Sequence, residues 1–328
     1  MRTLSSLLLL CLLVISCNNS EKKEKETAKS TTETMTETNT ESPYKYSLAQ
    51  WSVHLPIKNG TMDAMDFADY AKKLGFEGVE YVDQLYELDD SLSYKDGVMK
   101  LAGQWKERSA AAGVENVLIM IDRAGELADP SEEKRKEAIE MHKNWVDGAE
   151  LLGAKALRVN LFGLNEVEAW HNACVASLKE LAGYAATKNI KILVENHAQL
   201  SNDASLVAAV IEAVNLPNCG TLPDFGNFCV EREGGERWGP APCIKEYDAY
   251  KGIAELMPYA GGVSAKSNAF DENGDETEID YYRMMQIVKD AGFSGYIGIE
   301  HEDKVTADPT AGIMATKALV IKALEQAK

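Results

Sequence analysis

The chain has 328 residues, of which 45% are hydrophobic and 26% are charged, so it can bury one large core or two small ones. Its formal net charge of −18 at pH 7 excludes nucleic acid and anionic membrane surfaces as expected partners, because both require clustered Lys and Arg. Acidity also favours solubility in general, so the charge indicates nothing more specific.

The N-terminus has the pattern of an export signal. Arg2 precedes an apolar run, Leu7 to Ile15, that is short for a bilayer span but suits the core of a signal peptide. The run leads to Ser16 and Cys17, an ending similar to the lipobox of bacterial lipoproteins. We expect residues 1–17 to be a lipoprotein signal with Cys17 lipidated, which would anchor an exported protein in the cell envelope, periplasmic or at the outer membrane. An ordinary secretory signal with an incidental cysteine is the alternative.

A low-complexity segment follows this signal. Residues 18–45 consist mainly of Ser, Thr, Glu, Lys and Asn. Such a composition buries too little apolar surface to offset the entropy lost on ordering, which predicts a disordered tether. The folded domain is therefore expected at residues 46–328.

Cysteine usage bears on the compartment and on metal chemistry. The cysteines of the expected domain are Cys174, Cys219, Cys229 and Cys243. Export implies an oxidising compartment, so Cys229 and Cys243, which flank one predicted loop, could pair. Buried free thiols are the equal alternative. No CxxC spacing occurs, which argues against a zinc site made of cysteines.

One pattern recurs from Tyr46 onward: an amphipathic helical stretch, a turn residue, and a short apolar strand that ends in polar side chains. Glycine occupies the turn position at Gly75, Gly113, Gly153 and Gly292. A glycine just past a helix supplies the left-handed residue that ends the helix before the next strand. The spacing predicts βα units of about 35 to 40 residues.

Eight such units predict an α/β fold, a single (β/α)₈ TIM barrel. A doubly wound open sheet is the alternative, but no glycine-rich dinucleotide loop follows the first predicted strand. A TIM barrel carries its active site at the carboxyl ends of the strands. The polar residues at those ends are Trp51, His54, Glu80, Asp122, Arg158, Asn160, Glu195, His197, Asp224, Lys266, Glu300 and His301.

Four of these strand ends carry a family resemblance. LGFEGVE ends at Glu80, ILVENH ends at His197, LPDFGN ends at Asn227 and GYIGIE ends at Glu300. Their order, and their placement on predicted strands two, five, six and eight, resemble the xylose isomerase-like TIM barrels of the sugar phosphate isomerase/epimerase superfamily. The resemblance covers about residues 46–328.

The resemblance implies a particular site. One divalent metal, such as Mn²⁺, Mg²⁺, Co²⁺ or Zn²⁺, would be held by Glu195, Asp224 and Glu300, with a fourth ligand, a His or similar residue, from strand seven. Glu195 and Glu300 would also be the acid/base pair that removes and returns a proton next to a carbonyl group. The metal would polarise that carbonyl.

Two departures from the family pattern affect this expectation. Strand seven reads VSAKSN over residues 263–268, and a protonated Lys266 is a cation rather than a metal ligand. Either Lys266 is a catalytic internal cation in a site without metal, or the register differs and Ser264 or Asn268 faces a rearranged metal site. Asn227 stands where epimerases often carry a substrate-binding His, and we expect it to contact substrate.

Of the five histidines, His301 is expected to lie behind the residues that contact substrate, and the other four divide into two groups. His54 and His197 lie just past predicted strands and are expected to hydrogen-bond substrate. His142 and His171 fall on predicted helices and are expected to face solvent.

Three further side chains are expected to bind substrate. Glu80 and Arg158 lie at strand ends, although they could instead pair with each other. Residues 228–243 form a long insertion after strand six, which is typical of a lid over a barrel mouth. Trp238 within this insertion is expected to stack on a sugar face.

Together these features predict a lipid-anchored sugar isomerase or epimerase that acts on a small sugar or keto-sugar by proton abstraction. The alternatives are a keto-sugar lyase or hydratase, which needs the same first step, and a non-catalytic sugar-binding lipoprotein. Endonuclease activity is not expected, because three-zinc sites need many histidines and the chain has five. A homo-oligomer is compatible with the sequence.

Overall fold

The computed structural model describes residues 42–302 and 308–328. The predicted signal peptide, Cys17 and residues 18–41 of the predicted tether lie outside the described residues. Within the part that is described, no helix combines the length and apolar character needed to cross a lipid bilayer.

Parallel strands form the barrel that the sequence predicts. The eight strands of its sheet are β1 (Tyr44–Ala49), β2 (Gly78–Val82), β3 (Glu115–Met120), β4 (Ala156–Val159), β5 (Lys191–Glu195), β6 (Cys219–Leu222), β9 (Val263–Ser267) and β10 (Gly295–His301). The remaining two, β7 (Cys229–Arg232) and β8 (Cys243–Glu246), form an antiparallel hairpin. Strand β1 starts before the predicted Tyr46, because Tyr44 and Lys45 already pair in register with Gly295 and Tyr296.

The order of the strands closes the sheet into a ring. Neighbouring strands run β6-β5-β4-β3-β2-β1-β10-β9. The gap between β6 and β9 is closed by backbone hydrogen bonds, since Ser264 N donates to Pro223 O at 2.9 Å and Phe225 N donates to Ser264 O at 3.2 Å. All eight carboxyl ends therefore meet at one mouth, and the open-sheet alternative is excluded.

Helices surround the ring. Their bounds are α1 (His54–Lys58), α2 (Phe67–Lys73), α3 (Tyr94–Ala112), α4 (Glu132–Leu152), α5 (Val167–Ala186), α6 (Ala204–Val214), α7 (Ala249–Leu256), α8 (Tyr281–Asp290) and α9 (Thr310–Gln326). The predicted turn glycines end them as expected: Gly113 follows α3 at φ 67° and Gly153 follows α4 at φ 82°. Ser93 starts α3 by accepting a hydrogen bond from Asp96 N at 3.2 Å.

Aromatic packing fixes the helical layer against the strands. Tyr81 of β2 stacks on Trp105 of α3 with ring centroids 4.5 Å apart, and Trp105 packs on Trp145 of α4 at 5.9 Å. All three rings are buried. Such buried rings bury large apolar area and hold one geometry, so the strand ends stand on a rigid frame.

Candidate active site

Glu195 ends β5 at the mouth and is buried. Its Oε2 lies 2.7 Å from Nε of Arg158 on β4, in an ion pair whose N–H is not aligned for a hydrogen bond. Its Oε1 accepts a hydrogen bond from Asn227 Nδ2 at 3.1 Å. Burial, with the nearby charges of Asp224 and Glu300, raises the pKa of Glu195 above its usual value, while Arg158 opposes the shift.

Arg158 is also held from its other side. Its Nη1 donates to Asp122 Oδ1 at 2.5 Å, and the same oxygen accepts from Asn160 Nδ2 at 2.7 Å. Burial opposes ionisation of Asp122, but the charge of Arg158 and these hydrogen bonds outweigh it and lower the Asp122 pKa. The guanidinium is therefore fixed between two carboxylates, Asp122 and Glu195, which leaves it positioned to hold Glu195.

Asp224 follows β6 and is completely buried. Its Oδ2 accepts from Ser264 Oγ at 2.8 Å, and its Oδ1 accepts from Gly226 N at 2.9 Å. Asn196, the neighbour of Glu195, bonds both the N–H and the C=O of Asp224 at 2.7 and 2.9 Å. Burial raises the Asp224 pKa to about 6 although Lys266 lowers it. The end of β6 is thus tied to the ends of β5 and β9.

Lys266 extends from β9 into the mouth. Its Nζ lies 3.2 Å from Glu300 Oε1 at the end of β10 and 2.8 Å from Glu302 Oε2. Glu302 also accepts from Trp51 Nε1 at 3.0 Å. Nothing in the sequence singles out Glu302, which lies one residue past the end of β10.

Glu80 lies deeper in the barrel than predicted. Its Oε1 accepts from Ser47 Oγ at 2.6 Å, and a Cβ on Gly298 would come within 2.6 Å of the same oxygen. Burial raises its pKa to about 7. No ion pair joins Glu80 to Arg158 among the described residues, which excludes the alternative that the two side chains pair: Arg158 faces Asp122 and Glu195 instead.

An aromatic group lines one side of the mouth. The rings of His197, Phe162 and Trp238 pack together, with Trp238 4.6 Å from His197 and 5.4 Å from Phe162. Burial lowers the pKa of His197 to about 3, so its ring is neutral, and Asn160 Oδ1 lies 2.9 Å from Nδ1. Trp238 keeps 48% of its surface exposed, which leaves an open ring face at the mouth.

The predicted lid over residues 228–243 is the β7–β8 hairpin. A disulfide between Cys229 and Cys243 joins its two strands, which decides between the alternatives left open by the sequence. Cys174 and Cys219 are buried free thiols. Arg237, next to Trp238, binds Glu126 Oε1 at 2.8 Å and fastens the hairpin to the barrel rim.

The remaining histidines have different surroundings. His54 stacks on Trp51 with centroids 4.2 Å apart, near Glu302. His301 points away from the mouth: its Nδ1 lies 3.0 Å from Ser267 Oγ, and its ring packs too closely on Gly312 of α9 to admit a Cβ there. His142 is buried, with Nδ1 2.7 Å from Ala138 O, so the prediction that it faces solvent is wrong.

The surroundings of the mouth carboxylates determine whether they fit a divalent metal. Each carboxylate predicted as a ligand already faces a protein group: Arg158 and Asn227 at Glu195, Ser264 and Gly226 at Asp224, Lys266 at Glu300. Among the residues described, no group of three or more His, Cys, Asp or Glu side chains has the arrangement to hold a metal ion. The donor set as it stands does not fit a metal.

Comparison with known proteins establishes the family. The sequence profile of the xylose isomerase-like TIM barrels matches residues 68–324, and the chain belongs to this family. No curated protein sequence matches the chain.

Three of the solved structures that share the fold illustrate the likeness. One is IolI protein with a bound zinc atom, with TM-score 0.64 and 15% identity over 87% of this chain and 99% of that chain. The second is L-ribulose 3-epimerase, with TM-score 0.63 and 15% identity over 86% and 95%. The third is 3-keto-D-glucoside 4-epimerase, YcjR, from E. coli, with TM-score 0.58 and 15% identity over 79% and 94%. At such identities the likeness establishes the fold.

Proposed function

We propose that the protein is a sugar isomerase or epimerase that moves a proton next to a carbonyl group. The observation that carries this proposal is the pair of buried carboxylates, Glu195 and Glu300, at the ends of β5 and β10. Around the ring β5 is followed by β6, β9 and β10, so two strands separate the two carboxylates. A sugar carbon bound in the mouth lies between them.

The electrostatics suit proton transfer. Burial raises the pKa of Glu195, and a carboxylate with a raised pKa is a stronger base for a weakly acidic C–H. Arg158 and Lys266 stand beside the two carboxylates as fixed cations. Fixed positive charge in a site shielded from water stabilises the negative charge that develops on the carbonyl oxygen.

The substrate is an uncharged sugar or keto-sugar. The mouth carries more carboxylates than cations, which disfavours a phosphorylated substrate. The exposed face of Trp238, next to Phe162 and His197, offers the kind of apolar surface on which a sugar ring stacks. The same fold occurs in L-ribulose 3-epimerase and in 3-keto-D-glucoside 4-epimerase, which supports the same substrate class.

A solvent-exchange assay tests the proposal. The protein is incubated with a panel of ketoses and keto-sugars in deuterated water, and exchange of C–H for C–D next to the carbonyl is followed by NMR. We expect exchange and interconversion of the two epimers in the wild type. In Glu195→Gln we expect exchange of one epimer only and no interconversion, with sugar binding retained by calorimetry.

The matched control is Glu115→Gln, since Glu115 starts β3 at the amino end of the barrel and pairs with exposed Lys45 at 2.9 Å. It is expected to exchange like the wild type. Sugar binding without exchange in the wild type would favour the non-catalytic binding protein. Exchange accompanied by loss or addition of water would favour the lyase or hydratase.

We also propose export and lipidation at Cys17. The lipobox-like ending at Cys17 and the disulfide between Cys229 and Cys243 support an oxidising compartment. Metabolic labelling with a fatty-acid analogue is expected to label the wild type and to leave Cys17→Ser unlabelled. Equal labelling of the two proteins would contradict lipidation at this residue.

A further inference from the structure

The register of β9 determines what its inner face presents to the mouth. Ser264 and Lys266 are two residues apart and share one face of the strand. The Oγ of Ser264 bonds Asp224, and the Nζ of Lys266 reaches Glu300 and Glu302. Ser267, on the opposite face, contacts His301 and Thr316 outside the ring. Lys266 therefore faces the mouth, where its side chain is 10% exposed.

The stem of Lys266 is fixed by close packing. A Cβ on Gly226 would lie 2.9 Å from Lys266 Cδ, so the glycine after Asp224 leaves space for the aliphatic chain to pass. The side chain passes between the ends of β6 and β10. Against the effect of burial, the negative charges of Glu300 and Asp224 both favour the protonated form of its Nζ and raise the Lys266 pKa.

We infer that the ammonium group of Lys266 is the resident cation of this mouth and acts in place of a divalent metal on the oxygen next to the reacting carbon. The inference rests on the proposed function. An ammonium group has three N–H donors. Two of them face Glu300 and Glu302, and no other acceptor contacts Nζ among the residues that the structure describes. The third donor is directed to substrate oxygen.

Glu302 is a positioning residue in this arrangement. It holds Nζ at 2.8 Å and is itself held by the indole N–H of Trp51 at 3.0 Å. The chain Trp51–Glu302–Lys266 fixes the cation before substrate arrives, which avoids reorganisation at the moment of reaction. A metal-binding site needs carboxylates that converge on one point. Here each carboxylate instead faces another group of the protein itself.

The first experiment measures metal dependence with two readouts. The purified full chain is treated with EDTA and titrated with Mn²⁺ by calorimetry without sugar, and C–H exchange is measured before and after. We expect no Mn²⁺ binding with a Kd tighter than about 1 mM, and exchange that changes less than about twofold with EDTA or Mn²⁺. A stoichiometric Mn²⁺ site, or exchange abolished by EDTA and restored by Mn²⁺, would overturn the inference. If no sugar exchanges under any condition, the proposed function fails, and the calorimetry still decides the question of the resident cation.

The second experiment removes the cation without changing the net charge. Lys266→Met combined with Glu302→Gln is expected to lower exchange by about 100-fold or more. The matched control is Lys136→Met combined with Glu132→Gln, an exposed pair on α4 with 2.7 Å between the charged atoms, which is expected to exchange like the wild type. Unchanged exchange in the Lys266 double variant would contradict the assignment.

A third variant decides the matter if the double variant does not fold. Lys266→Arg keeps the charge and is expected to retain measurable exchange that does not respond to Mn²⁺. Exchange in this variant that requires Mn²⁺ would show that a metal, rather than the side chain, supplies the positive charge.

Discussion

Replacing Arg158 by Met should destabilise the fold strongly, because the guanidinium joins two buried carboxylates. Its nitrogens lie 2.5 Å from Asp122 and 2.7 Å from Glu195, and its side chain is 5% exposed. Removing one partner of a buried ion pair leaves an uncompensated charge and costs about 3 to 5 kcal/mol. We therefore expect the free energy of unfolding at pH 8 to fall by that amount.

The pH dependence gives a second, independent prediction. In the wild type Arg158 helps to hold the Asp122 pKa below its ordinary value, so the pair contributes stability that is present above that value and lost as pH falls through the lowered one. In Arg158→Met burial is opposed less strongly, so the pKa values of Asp122 and Glu195 rise. The folded variant then binds more protons than the unfolded chain, and its deficit relative to wild type shrinks from pH 8 to pH 5.

Denaturant unfolding at the two pH values measures both effects. Arg108→Met is the control, because Arg108 pairs with Asp66 at 3.8 Å and their side chains are 46% and 59% exposed. Such an exposed pair contributes about 0 to 1 kcal/mol. Adding Glu195→Gln to Arg158→Met should recover part of the loss. The reasoning is refuted if Arg158→Met resembles the control, or if its deficit is the same at pH 5 and pH 8.

Three further predictions concern the barrel interior and the hairpin. The Glu80 pKa is raised from 4.5 to about 7, so the wild type loses stability as pH rises through this window. In denaturant unfolding, Glu80→Gln should therefore be more stable than the wild type at pH 8, by up to about 3 kcal/mol, but not at pH 4. Trp238→Ala should raise KM about tenfold with little change in kcat, whereas Ile244→Ala, 60% exposed on the same hairpin, should change neither; equal effects in steady-state kinetics would refute stacking. Replacing Cys229 and Cys243 by Ser should make the hairpin more sensitive to limited proteolysis and raise KM in the same way as Trp238→Ala, and an unchanged cleavage rate would contradict a role for the disulfide in holding it.

The barrel and the order of its strand ends could be predicted from the sequence because both are local. A glycine such as Gly113 after a helix and an apolar run such as Ile192 to Val194 before a carboxylate are read from consecutive residues. Closure of the sheet into a ring then brings the carboxyl ends of these strands together at one mouth. For this reason the sequence predicts Glu195, Asp224 and Glu300 at the mouth, and the structure places them at or just past the ends of β5, β6 and β10.

The partners of these residues could not be predicted, because they depend on how distant segments meet. The order of the strands alone allows Arg158 to face either Glu80 or Glu195. The register between β4 and β5 brings it to Glu195. Glu302 lies just past a strand, where no periodicity assigns a direction to its side chain. His142 has a polar ring on an amphipathic helix, and sequence alone does not show that α4 packs it against neighbouring elements.

The central claim is that Glu195 and Glu300 transfer protons to and from opposite faces of one carbon. Exchange of its proton for deuterium without inversion of that carbon tests the claim directly. Glu195→Gln and Glu300→Gln are each incubated in deuterated water with either epimer of a sugar that the wild type converts. Each variant should exchange the proton of one epimer only, without converting it, and the two variants should differ in which epimer they exchange. If both variants exchange the same epimer, or both still interconvert the two sugars, the two-carboxylate account is wrong.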